Sequence, residues 1–155
     1  MDDVILARAL HFVAVLMWIG GLGFVTCVVV PNIRRSHLPA ERLAAFHRVE
    51  GRFAPQAAAW ILLAGASGLW MTWRADLWDR FADPHYWWMH AMVALWVLFA
   101  MMLFVLEPLV LHRRMAASPT PERDFARFER AHWLLLALSL VTVFGAVAGS
   151  HGAFF

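Results

Sequence analysis

The sequence predicts an all-α integral membrane protein, an up-down bundle of four helices with one short amphipathic cytoplasmic helix before the second span. Of its 155 residues, 62% are hydrophobic, and the mean hydropathy is +0.62. Both values are typical of membrane proteins rather than soluble domains. Four long apolar runs divide the chain, and the short connections between them favour antiparallel neighbours. We therefore treat residues 1–155 as a single transmembrane domain.

The first apolar run covers about residues 4–30 and organises the rest of the chain. The segment from Ala9 to Val30 carries no charge, and His11 is its only strongly polar side chain. Twenty-two helical residues reach about 33 Å, enough to cross a hydrocarbon layer of about 30 Å. The acidic start of the chain and the lack of a small-residue cleavage site predict a retained span rather than a signal peptide.

Three further apolar runs follow, at about residues 54–73, 86–111 and 131–149. Before the second run, Leu43, Phe46, Val49 and Phe53 recur at helical spacing and predict an amphipathic surface helix over residues 40–53. Pro55 should then bend the chain where the second span begins. The second run is dense in alanine and glycine, which favours close helix packing.

Arginine placement predicts the orientation of the helices. All thirteen cationic side chains are arginine, and ten of them lie in the first and third connections. The second connection holds Arg74 and Arg80, which three aspartates balance. Positive charge collects on the cytoplasmic side, so both termini should lie outside the cytoplasm of a bacterial inner membrane. The basic charge thus reflects topology and lipid head groups, and it gives no indication of nucleic-acid binding.

Two histidines within the apolar runs are candidate ligands. His11 and His90 should lie at similar depth on spans one and three, which both run from outside to inside. Facing imidazoles on diagonal helices can ligate a haem iron, and the alternative is that each is a hydrogen-bonded packing histidine. His151, at the outer end of span four, is a third candidate. The other histidines are expected in loops, on the amphipathic helix or at cytoplasmic span ends.

Two further side chains in the apolar runs need an explanation. Glu107 precedes Pro108 inside span three, where a carboxyl should be protonated or paired with a cation. We expect a structural role for Glu107 rather than a proton relay. Cys27 is the only cysteine, which rules out an intrachain disulfide and predicts a small buried apolar residue.

Three stretches resemble the membrane core shared by copper resistance protein D (CopD) domains and HemJ-type protoporphyrinogen oxidases. They read LHFVAVLMWIGGLGF, RFAPQAAAWILLAGASGLWMTW and WWMHAMVALWVLFAMMLF. The HemJ resemblance implies haem b and oxidation of a tetrapyrrole, and the CopD resemblance implies copper handling. Met92 stands where the HemJ-type proteins typically have a lysine.

These observations favour a haem b protein of the inner membrane that transfers electrons. His11 and His90 are the expected axial ligands, Arg8 would neutralise a propionate, and Trp18 would pack on the macrocycle. Quinone is the expected redox partner and membrane lipid the surroundings, while homo-oligomerisation and oxidoreductase activity are left open. The alternatives are a copper transport or resistance protein using His11, His90 and His151, and a structural subunit whose histidines only pack.

Overall fold

The computed structural model describes residues 2–111 and 118–153, with the backbone alone for residues 2 and 107–111. The all-α prediction is confirmed, because the described residues form helices and contain no strand. We number the α-helices in chain order, and short 3₁₀ turns lie in the connections at Pro39–Glu41, Trp78–Phe81 and Pro84–Tyr86. The helices are α1 (Asp2–Phe24), α2 (Val30–Ser36), α3 (Arg42–Arg74), α4 (Trp87–Met101) and α5 (Pro121–Ser150).

Within the described residues, three helical stretches are long and apolar enough to cross a membrane: Asp3–Ser36, Pro84–Leu106 and Pro121–Ser150. They coincide with the first, third and fourth predicted runs. Large apolar side chains cover their outer surfaces, which is the pattern of helices that face lipid. Examples are Ile5, Leu6, Phe12, Leu16, Leu134, Val141 and Phe144.

The second predicted span is the apolar half of α3, and α3 is not among the three stretches that meet the hydropathy criterion. Its alanines, glycines and tryptophans contribute less hydropathy than the leucines and valines of the other spans. Their small size serves packing instead, because α3 makes its main contact with α1.

The prediction of a separate amphipathic helix over residues 40–53 is wrong. α3 runs without interruption from Arg42 through Pro55 to Arg74. The predicted apolar stripe is real, since Leu43 and Phe46 are buried. The Phe46 ring packs on Phe128 of α5, with ring centroids 5.8 Å apart. This contact between helices holds the first half of α3 against the bundle, so the loss of one backbone hydrogen bond at Pro55 does not end the helix.

Two wider π-helical segments interrupt the α-helices. Val25–Val29 joins α1 to α2, and Met102–Leu111 follows α4. Pro31 lies just after the first segment and Pro108 lies inside the second. Because proline has no N–H, neither residue can donate to the carbonyl four residues earlier, which accounts for the locally wider winding.

Cys27 and Glu107 of the sequence analysis lie in these segments, and His112, one of the other histidines, follows the second. Cys27 is exposed on the first segment, so the prediction that it is buried is wrong. The reason is that the buried face of this segment is taken by Val25 and Thr26. The Glu107 side chain and all of His112 lie outside the described residues.

Ion pairs join helix ends on both sides of the molecule. Arg74 Nε lies 2.7 Å from Asp3 Oδ2, which brings the end of α3 to the start of α1. Arg34 Nη1 lies 3.0 Å from Glu129 Oε1, which brings the end of α2 to the first half of α5. Such exposed pairs contribute little to stability, because water and salt screen their charges. Their value here is that they identify which helix ends are neighbours.

Aromatic rings lie over glycines of the adjoining helix throughout the molecule. A Cβ atom at Gly65 would lie 2.6 Å from three atoms of the Trp96 indole, so the indole packs directly on the backbone of α3. Trp96 Nε1 also donates a hydrogen bond of 2.8 Å to Ile61 O, which fixes its ring. The other pairs are Gly21 with Phe53, Gly145 with Trp87, and Gly149 with Trp88.

Candidate functional site

His11 lies on the buried face of α1, where it contacts α3. Ala7, Ala14 and Trp18 share its helical face, at four residues before and three and seven residues after it. All three are buried, and His11 itself is partly buried. His11 Nδ1 lies 2.9 Å from Ala64 O. The same nitrogen lies 3.2 Å from Ser67 Oγ. The imidazole is therefore bound to α3 through one edge.

The hydrogen bond determines which ring nitrogen carries the proton. A carbonyl oxygen has no proton to give, so His11 Nδ1–H must donate to Ala64 O. The Ser67 hydroxyl donates to Leu63 O at 2.6 Å, which leaves its oxygen to act as an acceptor toward the ring. In the neutral imidazole, Nε2 then keeps its lone pair. Metal-binding histidines commonly have this arrangement, with the second nitrogen donating to a carbonyl.

Gly68 provides the space that the His11 ring occupies. A Cβ atom at position 68 would lie 3.2 Å from His11 Cε1 and 3.4 Å from Nδ1. The ring thus packs directly on the backbone of α3. Ala64, Ser67 and Gly68 were not identified from the sequence as site residues. Their spacing of three and four places small residues on one helical face, and that pattern was available as a signal.

His90 occupies a different environment from His11. Its side chain is exposed, while the preceding Trp88 and Met89 are buried. The His90 ring meets Phe81 of the second connection edge to face, with centroids 5.4 Å apart. The described contacts therefore bring His11 to α3 and His90 to the loop before α4, and they do not join the two histidines.

Trp18 is part of the apolar core. It is 5% exposed, and its ring meets Phe99 of α4 edge to face at 4.9 Å. Its indole Nε1 is buried and has no hydrogen-bond partner among the described residues. Leaving such a donor unpaired costs roughly 1–3 kcal/mol. Arg8, in contrast, is exposed near the start of α1.

His151 lies on the outside of the molecule at the end of α5. Its Nδ1 lies 2.8 Å from Val147 O, within its own helix. In the part of the chain that the structure describes, no three histidine, cysteine, aspartate or glutamate side chains form a group able to hold a metal ion. The structure thus does not bring His11, His90 and His151 together as a copper site.

The remaining described histidines have structural surroundings. His132 packs edge to face on Phe46 at 5.3 Å, and its Nδ1 lies 3.0 Å from Phe128 O. His47 Nδ1 lies 3.1 Å from Glu50 Oε2, one turn further along α3. The His132–Phe46 contact belongs to the cluster that holds the first half of α3 against α5, while the His47–Glu50 pair lies within α3.

The second connection is ordered by a local hydrogen-bonded turn. The His85 backbone N–H donates to Asp83 Oδ1 at 2.9 Å, and His85 Nδ1 lies 2.9 Å from the same oxygen. These bonds lower the pKa of Asp83 below its usual value, because they stabilise the charged carboxylate. His85 therefore shapes the turn that leads into α4 and is exposed at its surface.

His11 thus has the most specific geometry among the candidate residues, since a hydrogen bond to the neighbouring helix fixes it and leaves Nε2 unprotonated. No protein-family model matches the sequence, and no curated protein and no solved structure is matched either. The function must therefore be argued from His11 and its surroundings.

Proposed function

We propose that this chain is a haem b protein of the bacterial cytoplasmic membrane, with four spans arranged up and down. The second half of α3 is the remaining span beside the three apolar stretches. Two ion pairs support this arrangement. Arg74–Asp3 and Arg34–Glu129 join neighbouring helices at opposite sides of the molecule. A helix of 33 residues such as α3 is about 50 Å long. Its arginine-rich first half therefore extends into the cytoplasm with the start of α5.

The proposed topology predicts where a fused reporter is active. A reporter that works only outside the cytoplasm should be active when attached to Phe155 and silent when inserted after Ser36. A reporter that works only in the cytoplasm should give the opposite pattern at the same two sites. Activity of the first reporter after Ser36, with silence at Phe155, contradicts the arginine-based orientation.

The observation that carries the haem assignment is the hydrogen bond from His11 Nδ1–H to Ala64 O. It leaves Nε2 with a lone pair on a partly buried ring, which suits an axial ligand. Haem b held there would supply one-electron redox chemistry, with quinone or a tetrapyrrole as the redox partner. The residues of the chain bind and orient this group at the outer end of the bundle.

The other haem contacts in this proposal have less support than His11. His90 is kept as the second candidate ligand because its exposed ring lies near the outer end of α4. To bind the haem, the ring would have to turn away from Phe81, which it contacts in this structure. Arg8 is one turn before His11 and exposed, which suits a propionate. We assign Trp18 no contact with the macrocycle, since its ring packs against Phe99.

The visible spectrum and metal content of the purified protein test this function. We expect a sharp α-band on reduction and one or more protohaem groups per chain. A colourless protein that binds copper stoichiometrically would support the copper alternative instead. A colourless protein that binds neither haem nor copper would leave the histidines as packing residues of a structural subunit.

A further inference from the structure

We infer that Ser67 and Gly68 of α3 are positioning residues for His11, which hold the ring in its Nδ1–H tautomer and direct Nε2 as the coordinating atom. The ligand role of Nε2 rests on the proposed haem function. The tautomer and the ring position do not, because they follow from contacts within the chain. The inference can therefore be tested even in a protein without haem.

The tautomer follows from the acceptors around Nδ1. If the proton were on Nε2, the Nδ1 lone pair would face Ala64 O at 2.9 Å and Ser67 Oγ at 3.2 Å. The Ser67 hydroxyl could then donate to Nδ1 only by giving up its bond to Leu63 O, and the lone pairs of Nδ1 and Ala64 O would still face each other in an apolar environment. The Nδ1–H tautomer removes both problems at once.

Ser67 contributes because its own proton is already committed. Its side chain is 6% exposed, and its hydroxyl donates to Leu63 O at 2.6 Å. The oxygen lone pairs therefore point toward the imidazole as a second acceptor. Ser139 of α5 offers a matched control, since it is fully buried and donates to Leu135 O at 2.7 Å with the same helical spacing.

Gly68 contributes by the absence of a side chain. A Cβ at this position would lie 3.2 Å from His11 Cε1, closer than ordinary van der Waals contact, so the ring would have to move away from α3. Gly20, on the same helix as His11, is the matched control. A Cβ at Gly20 would meet no atom within 4 Å.

The positioning has a redox consequence for a bound haem. A carbonyl that accepts from Nδ1–H makes the imidazole a stronger donor to iron, which favours the ferric state. Ser67→Ala removes one of the two acceptors, and Gly68→Ala lengthens the bond to the other. Both substitutions should therefore shift the haem reduction potential to more positive values.

The experiment uses the full-length protein in nanodiscs with ¹⁵N-labelled histidine, and the His11 signals are assigned by their loss in His11→Gln. We expect the ¹⁵N signals to show that His11 carries its proton on Nδ1. Ser67→Ala and Gly68→Ala should shift its Nδ1 signal and raise the haem potential, while Ser139→Ala and Gly20→Ala leave both unchanged. Ser67→Thr, which restores a hydroxyl, should return both values toward those of the wild type. The melting temperature of each variant identifies any loss of folding.

The outcomes separate this inference from the proposed function. The protein could be colourless while His11 is the Nδ1–H tautomer and its Nδ1 signal shifts in Ser67→Ala and Gly68→Ala. That outcome contradicts the haem proposal and supports the positioning. A His11 protonated at Nε2 overturns the positioning, whether or not haem is bound. Signals and potentials that respond equally to the Ser139 or Gly20 controls also overturn it.

Discussion

In the proposed haem protein, His11→Ala should yield a folded chain that has lost most of the haem. The substitution removes the proposed axial nitrogen, Nε2, and one hydrogen bond between α1 and α3. Loss of one such bond costs about 1 kcal/mol, which a folded bundle should tolerate. Loss of the axial ligand removes the main protein bond to the cofactor. The haem-to-protein ratio after purification measures the loss of the ligand, and thermal melting measures the loss of the hydrogen bond.

His37→Ala is the control for this experiment. His37 follows α2, and its Nδ1 lies 2.9 Å from Ser36 Oγ, away from the buried face of α1. That variant should retain the haem content and spectrum of the wild type. If His11→Ala keeps a full haem complement with an unchanged spectrum, His11 is not a ligand.

His90→Ala tests the second proposed ligand separately. Loss of the His90 ring should change the ferric spectrum while some haem remains bound.

Gly65→Ala should destabilise the protein by about 1–3 kcal/mol, the usual range for overpacking a tight interior. The added Cβ would lie 2.6 Å from atoms of the Trp96 indole. That ring cannot simply move aside, since its Nε1 is bound to Ile61 O at 2.8 Å. Reversible unfolding in mixed detergent micelles gives the change in free energy of unfolding.

Gly20→Ala provides the matched comparison. The new methyl group would meet nothing within 4 Å, and alanine is favoured over glycine in a helix by up to about 1 kcal/mol. We therefore expect Gly20→Ala to be neutral or slightly stabilising. Adding Trp96→Phe to Gly65→Ala should recover part of the lost stability, because the smaller ring leaves room for the methyl. Equal stability of the two alanine variants would contradict close packing at Gly65.

Much of the helical architecture could be predicted from hydropathy and charge, because both depend on composition over a long window. The three stretches able to cross a membrane coincide with three of the four predicted runs. The continuous α3 could not be predicted in this way. The effect of Pro55 on local propensity is outweighed by contacts with distant residues, such as Phe46 with Phe128. Such contacts depend on which helices are neighbours, and a single sequence does not specify that.

The candidate site could likewise be predicted from the sequence only in part. His11 could be identified because a histidine in an apolar run is unusual whatever surrounds it. Ala64, Ser67 and Gly68 could not, since small residues in a span are ordinary and their role appears only when α1 lies against α3. The pairing of His11 with His90 was argued from depth alone. Depth does not fix the rotation of each helix about its axis, and the exposed side of α4 carries His90.

The π-helical segment Val25–Val29 changes how this chain must be aligned with other proteins. At its end, Val30 N–H donates to Val25 O, five residues earlier, where a regular α-helix bonds four residues back. One additional residue rotates the side chains of all later residues by about 100° about the helix axis, relative to a regular helix. An alignment that matches His11 to its counterpart in an uninterrupted span therefore needs a one-residue gap before Ile33 and Arg34, or it compares lipid-facing positions with packed ones.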